Sequence, residues 1–291
     1  GRNNNEMSQH YSLGVIMSNG DAMRWGGNDD TGMMGTGDQM SGDGRQGRPH
    51  MTGFTNIDWR TSTDNKDIAK GHEFTGHMVT PDAKAPKCIQ WCTGHNFSIW
   101  LMNNGEVYTS GYNGNYELGY NEGGNTNSSN RSYTNRVSAS DTVDWLGDTI
   151  RSFNDTKMVK VGTTSQGHNS NGKQIWALGE DGSVWIWGYN NQGQAGFGNP
   201  SINNSTDTNA GSPYSFSFYS ASIRRPIKIP QQFFNNKRII DMWGSGNEEM
   251  YWHALDEDGY LWAWGQDVYG CLGVGMNSHT SQGTYYYTVP R

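Results

Sequence analysis

The sequence predicts an all-β fold assembled from repeated copies of one small unit, and three observations carry that expectation. First, one phrase recurs. Residues 176–199 read WALGEDGSVWIWGYNNQGQAGFGN and residues 253–276 read HALDEDGYLWAWGQDVYGCLGVGM, with weaker copies over 17–26 and 103–111. Second, the copies align through glycines. Gly20, Gly105, Gly182 and Gly259 each follow Asn or Asp, and a second glycine stands six positions later at Gly26, Gly111, Gly188 and Gly265. Third, short runs of Val, Leu, Trp and Tyr flank each Asn-Gly or Asp-Gly, which is the strongest local signal for a β-hairpin. A chain that repeats a short unit builds its fold by stacking the copies.

The hairpins come first in the element order. A tight primed turn needs φ > 0, which glycine supplies without strain, so Gly182→Val and Gly259→Val are each expected to destabilise the fold severely. After the turn, Val184 and Ile186 alternate with Trp185 and Trp187, and Leu261 and Ala263 with Trp262 and Trp264. Bulk on both faces suits a sheet sandwiched between neighbouring sheets. Upstream of the hairpins lie further strand-like runs at Lys87–Cys92, Lys157–Val161 and Arg238–Trp243, closing near Gly94, Gly162 and Gly244. Four short strands per unit, repeated radially, describe the blades of a β-propeller.

Further glycines (Gly193, Gly196, Gly198, then Gly270, Gly273, Gly275) complete a pattern of the form Ala-Leu-x-x-Asp-Gly-x-Val-x-x-Trp-Gly-x-Asn-x-x-Gly-Gln-x-Gly-x-Gly. It resembles the repeat of the regulator of chromosome condensation family. Residues 177–198 match almost position by position and 254–275 nearly as well; Arg225–Pro230 with Ile239–Gly244 resembles the family's linker. The resemblance implies a β-propeller over most of the chain. It does not fix a function, because function sits in sites grafted onto a fold.

Residues 1–291 therefore read as a single propeller domain with inserts at 38–86, 121–156 and 199–224. The family's best-known members have seven blades, whereas four copies are visible here. A closed four-bladed ring fits the lengths, with Tyr285–Val289 pairing near Asn5–Leu13; a piece of a longer ring or fibre is the alternative.

Composition bounds the rest. Hydrophobic residues are only 33% of 291, but 12 Trp and 15 Tyr compensate. Each buried aromatic removes ~150–250 Å² from water, worth about 4–6 kcal/mol gross at ~25 cal/mol per Å². The net charge of −7 argues against nucleic acid, whose binders need a basic stripe to displace counterions. No apolar run reaches the ~18–20 residues of a membrane span.

Catalytic chemistry is not legible. Cys88 and Cys92 lie about 13 Å apart if extended, too far for a disulfide, and read as core residues beside Cys271. His72 and His77 lack a third metal ligand and suit a polar loop. His10 and His95 hold the same register before their glycines and read as structural. Gly35-Thr-Gly37 and Gly196-Phe-Gly198 precede no helical pattern, so turns outweigh phosphate cradles. Asp29-Asp30 could attract calcium; Asp256-Glu257-Asp258 is the hairpin turn itself. No catalytic residue, metal or cofactor is expected.

The inserts are rich in Gly, Asn, Ser and Thr, with aromatics that include Trp59 and the group Tyr214, Phe216, Phe218 and Tyr219. Aromatic faces stack on sugars or peptides, and short amides and hydroxyls supply adaptable hydrogen bonds. These five residues are the candidate binding set; covering blade edges or packing between subunits is the alternative. The expectation is a non-enzymatic structural or recognition protein, a phage virion or tail-fibre component or a surface adhesin, outside the cytoplasm. Its partners would be other virion or surface proteins, a host glycan or protein, or copies of itself. A guanine-nucleotide-exchange propeller and a glycan-active enzyme in the central channel are the alternatives.

Overall fold

A computed structural model describes residues 13–18, 20, 22–27, 45–51, 86–94, 96–119, 130–144, 146–164, 174–190, 193–197, 222–245, 250–267, 270–275 and 285–291. These residues form four antiparallel sheets with no α-helix. The first sheet takes β1 (Leu13–Ile16), β2 (Ala22–Gly27) and β3 (Arg45–Met51) in that order. The second takes β4 (Cys88–Thr93), β5 (Phe97–Met102), β6 (Val107–Gly111) and β7 (Arg131–Arg136). The third takes β8 (Met158–Thr163), β9 (Gln174–Gly179), β10 (Val184–Tyr189) and β11 (Ser222–Lys228). The fourth takes β12 (Ile239–Ser245), β13 (Tyr251–Asp256), β14 (Leu261–Asp267) and β15 (Tyr285–Tyr287). Every sheet is an up-and-down meander, the form of a propeller blade.

The hairpins differ in detail from the expected primed turn. Gly105 N–H donates to Met102 O at 2.9 Å and Met102 N–H to Glu106 O at 2.8 Å. Gly182 with Gly179 and Ser183, and Gly259 with Asp256 and Tyr260, repeat the arrangement. These are three-residue loops, a type I turn followed by a left-handed residue. Glycine is still required, at φ of 89°, 89°, 81° and 88° for Gly20, Gly105, Gly182 and Gly259. Three of the second glycines sit at irregularities in the outer pairing. The register shifts between Arg24 and Gly26, Thr109 and Gly111, and Ile186 and Gly188. Gly111, Gly188 and Gly265 have φ of 105°, 95° and 107°, as a bulge favours.

Packing between sheets uses the bulk on both faces. Strands β5 and β9 are buried at every residue. β8 lies against β4 and β5, and β12 against β8 and β9. Tryptophans fill the gaps: Phe153 meets Trp185 and Trp187 edge-on at 5.4 and 5.9 Å, and Phe234 meets Trp262 and Trp264 at 5.7 and 5.8 Å. Polar ties run between the inner strands. Gln90 reaches across the interface, donating to Val161 O at 2.8 Å and accepting from Val161 N–H at 3.0 Å. At the matching position of β8, Lys160 pairs with Asp241 of β12. Between the first two sheets the buried Arg24 guanidinium lies 4.5 Å from the Trp91 ring centroid and donates to Ser98 Oγ. Burial lowers its pKa, and the indole face and hydroxyl supply the compensation.

Two expectations need correction. Among the described residues the sheets do not close into a ring: β15 pairs with β14, matching Gly265 to Tyr287, and of the expected partner segment Asn5–Leu13 only Leu13, which pairs with Trp25, is described. Extensive contacts among the described strands follow chain order, β1 with β4, β4 with β8 and β8 with β12, without returning to β1. In addition, the outer strands β3, β7 and β11 begin or lie within stretches read as inserts. The span 121–156 also contains a short bridge between Val143 and Thr149 and a 3-10 turn at Phe153–Asp155.

The hairpin glycines are not equivalent in their surroundings. A Cβ on Gly182 would lie 2.6 Å from Arg238 Cβ and 2.8 Å from its Cα, whereas one on Gly259 would meet nothing within 4 Å. Gly182→Ala therefore combines the ~1–2 kcal/mol strain of a left-handed residue with a clash against backbone, while Gly259→Ala carries the strain alone. Thermal melts in dilute solution should show Gly182→Ala well below Gly259→Ala; equal losses would contradict the close approach.

Candidate functional site

A concavity lies where the second and third sheets meet. It encloses about 410 Å³ and is lined by the hairpin Asn104–Val107, the end of β7 at Arg136 and Val137, Arg151, the segment Phe153–Lys157, and Glu180. The hairpin of one blade, the outer strand of the same blade and the lead into the next inner strand thus converge on one notch. Its floor is built by local backbone chemistry. Ser152 caps the 3-10 turn through Asp155 N–H, Thr156 Oγ1 donates to Ser152 O at 2.7 Å, and Asn154 Oδ1 accepts from Ala139 N–H at 3.0 Å.

The walls are charged and internally balanced. Arg136 Nε stands 3.1 Å from Glu106 Oε1, and Arg151 Nη1 stands 3.7 Å from Glu180 Oε1. Both pairs are partly exposed, so each contributes ~0–1 kcal/mol and can be exchanged for a ligand's charges at little cost. Tyr108 donates to Glu106 Oε2 at 3.2 Å. Desolvation first, and the Glu106 charge second, push its phenol up to about 12, so it acts only as a neutral donor. The described lining holds no cysteine or histidine. The arrangement suits recognition of a polar segment carrying both signs of charge.

The residues singled out from sequence fall differently. Tyr214, Phe216, Phe218, Tyr219 and Trp59 lie outside the described residues, as do His10, His72, His77, His95, Asp29 and Asp30. Cys88 and Cys92 are buried free thiols and Cys271 is partly exposed. Burial pushes the Cys88 thiol up to about 12, against the opposing effect of a backbone hydrogen bond at Gln90. In the acidic turn, Asp256 Oδ1 accepts from Asp258 and Tyr260 N–H and Oδ2 from Trp262 Nε1. Desolvation opposes its charge, but these bonds win and hold its pKa below the usual range. Among the described residues no group of three His, Cys, Asp or Glu is placed to hold a metal ion. None of their helices is long and apolar enough to cross a membrane.

The notch residues escaped notice in the sequence. Arg136 and Arg151 lie in a stretch read as an insert, and only the hairpin position of Glu106 and Glu180 offered a signal.

Comparison with solved structures agrees with this geometry. Human WBSCR16 superposes with a TM-score of 0.56 at 16% identity, over 96% of this chain and 50% of that one. The fold is an RCC1-like β-propeller. Yeast RCC1 (Prp20), solved bound to Kap60, gives a TM-score of 0.45 at 12% identity over 97% of this chain and 58% of that one. The Cps50 (Swd1) β-propeller domain of Myceliophteria thermophila gives 0.34 at 8% identity over 88% and 52%. The chain thus spans about half the length of these neighbours. No protein-family model matches the sequence. No curated protein matches it either.

Two measurements test the site chemistry. In the native protein, a thiol reagent should titrate Cys271 promptly and leave Cys88 and Cys92 unmodified until unfolding; rapid labelling of all three would contradict their burial. Burial also lowers the pKa of His253, which stacks on Trp243 at 5.9 Å. The unfolded chain then binds the proton more readily, so stability is present above the ordinary histidine pKa of ~6.5 and is lost as pH falls below it. Tm should rise from pH 5 to pH 7, and His253→Gln should flatten part of that rise.

Proposed function

We propose that this chain is a non-enzymatic recognition and assembly propeller, acting through its loops and inter-blade notch. The observation that carries the reading is the commitment of the strands. β5 and β9 are buried throughout, and β10 at all but its last residue, so these strands offer no surface to a ligand. What remains is the self-balanced notch and the long Gly-, Asn-, Ser- and Thr-rich stretches between the blades.

The finer reading is a virion or tail-fibre component, or a surface adhesin, exposed outside the cytoplasm and engaging a surface glycan or protein. It rests on the low charge content, 17%, and on 40 glycines among 291 residues, which favour an uncharged hydrogen-bonding surface. Lengthening a loop costs only ~0.6 kcal/mol per doubling, so such stretches are tolerated by the fold without being required by it. An exchange-type interaction propeller is the alternative, and the likeness of fold alone favours it.

Replacing Tyr214, Phe216, Phe218 and Tyr219 together with Ser should leave Tm nearly unchanged while abolishing attachment to host cells or incorporation into the particle. A variant that melts far lower would place these aromatics in the core and remove the binding reading. Catalytic release of nucleotide from a small GTPase would favour the alternative.

A further inference from the structure

The notch between the second and third sheets is balanced in charge but not in hydrogen bonding. Three bases (Arg136, Arg151, Lys157) and three acids (Glu106, Asp155, Glu180) line it. Most of its acceptors are already in use. Glu106 Oε1 faces Arg136 Nε at 3.1 Å and Oε2 takes the Tyr108 hydroxyl at 3.2 Å. Asp155 Oδ2 takes the Ser152 hydroxyl at 2.5 Å. Asn104 Oδ1 takes the Glu106 N–H at 3.0 Å, and Asn154 Oδ1 the Ala139 N–H at 3.0 Å. The donors are left over. Among the described residues no hydrogen bond engages the Lys157 ammonium or the side-chain N–H groups of Asn104 and Asn154. Arg151 has only its 3.7 Å approach to Glu180, too long for a hydrogen bond.

These groups are held from both sides of the joint. Met158 N–H donates to Gly105 O at 3.2 Å, and Glu180 N–H to Lys157 O at 2.9 Å. Arg151 arrives on an excursion between β7 and β8 that is folded on itself, with Ile150 N–H donating to Thr142 O at 2.8 Å. Arg225 of the third sheet grips this excursion at Asp141 through two bonds, at 2.6 and 3.2 Å. After β11 the chain passes through Pro230 straight into the 3-10 turn Gln231–Phe234 and makes no such excursion. The enclosed volume of about 410 Å³ lies within the ~300–1,000 Å³ of sites for compact ligands.

Unused cationic and amide donors call for an acceptor-rich anion. Glu180 narrows the choice, because its carboxylate makes no hydrogen bond either and stands beside Arg151. A ligand must therefore present a carboxylate and a hydrogen-bond donor as close neighbours. A simple carboxylate has no donor. In a peptide the donors belong to the backbone, several bonds from a side-chain acid. A free amino acid has both groups but no further acceptors for Asn104 and Asn154. A sugar acid carries hydroxyls on the carbons next to its carboxylate, and its ring and remaining hydroxyl oxygens supply the other acceptors.

We propose that the notch binds an acidic sugar, a uronate or sialate unit of a surface glycan. Arg151 and Lys157 take its carboxylate, Glu180 accepts from a neighbouring hydroxyl, and the Asn104 and Asn154 amides donate to the remaining oxygens. This rests on the reading of the notch as a recognition site and names its ligand class.

Calorimetric titration of the full chain with trigalacturonate and with sialyllactose tests it. At least one should bind, and its methyl ester should not. Arg151→Ala and Lys157→Ala should each weaken binding by at least about tenfold with the circular dichroism spectrum unchanged, since both side chains are exposed. Glu180→Ala should weaken it as well; a gain on removing this acid would show a plain anion site and overturn the proposal. Failure of both sugars to bind, binding indifferent to Arg151 and Lys157, or a preference for triglutamate or free glycine would each overturn it too. If no sugar binds yet Arg151→Ala abolishes attachment to host cells or incorporation into the particle, the sugar is wrong and the recognition reading stands. If neither assay responds to Arg151→Ala or Lys157→Ala, the notch is no recognition site.

Discussion

Every blade after the first hangs from the carbonyl of a glycine. The first N–H of an inner strand donates to the glycine of the preceding hairpin, three times with nearly the same length. The contact demands two things of one residue: a left-handed backbone, and no side chain where the next strand arrives. Only glycine meets both. Once that joint is fixed, the inner strands lie side by side. Gln90 can then reach Val161, Lys160 can reach Asp241, and the tryptophans of one sheet meet the glycines of another. The core is a consequence of the spacing set at these glycines.

What the sequence made legible follows from the same joint. The hairpins, their glycines and the inner strands repeat with fixed spacing and carry strong β formers, so they stand out. Strands β3, β7 and β11 did not. They lie at the outer edge of their sheets, and Arg131–Arg136 reads Arg-Ser-Tyr-Thr-Asn-Arg, with no apolar alternation to separate a strand from a polar loop. The Pro226 in β11 is tolerated for the same reason, since an edge strand need not donate on both sides. Turn type was misread because Asn-Gly and Asp-Gly serve the primed turn and the three-residue loop alike. Ring closure could not be read from lengths, because the number of residues does not state the angle between neighbouring blades.

The notch between the second and third sheets was invisible for a different reason. Its residues come from a hairpin, an outer strand, a 3-10 turn and the following blade, so no motif in the chain gathers them. Charges that are scattered in sequence become two facing ion pairs only after the sheets are set. The candidate aromatics of 199–224 were conspicuous in sequence by contrast, as bulky groups in a polar stretch, and their composition is what nominates them.

Because each joint involves only two adjacent blades, nothing in a blade records how many others there are. Folding free energy in such an array is a sum of unit terms and nearest-neighbour terms. The unit that duplicates therefore brings its own coupling with it, and a gene could gain or lose one repeat without re-engineering the rest. Blade number is then set by geometry at the ends and by gene history. Rings of different blade number could arise from one such unit by tandem duplication.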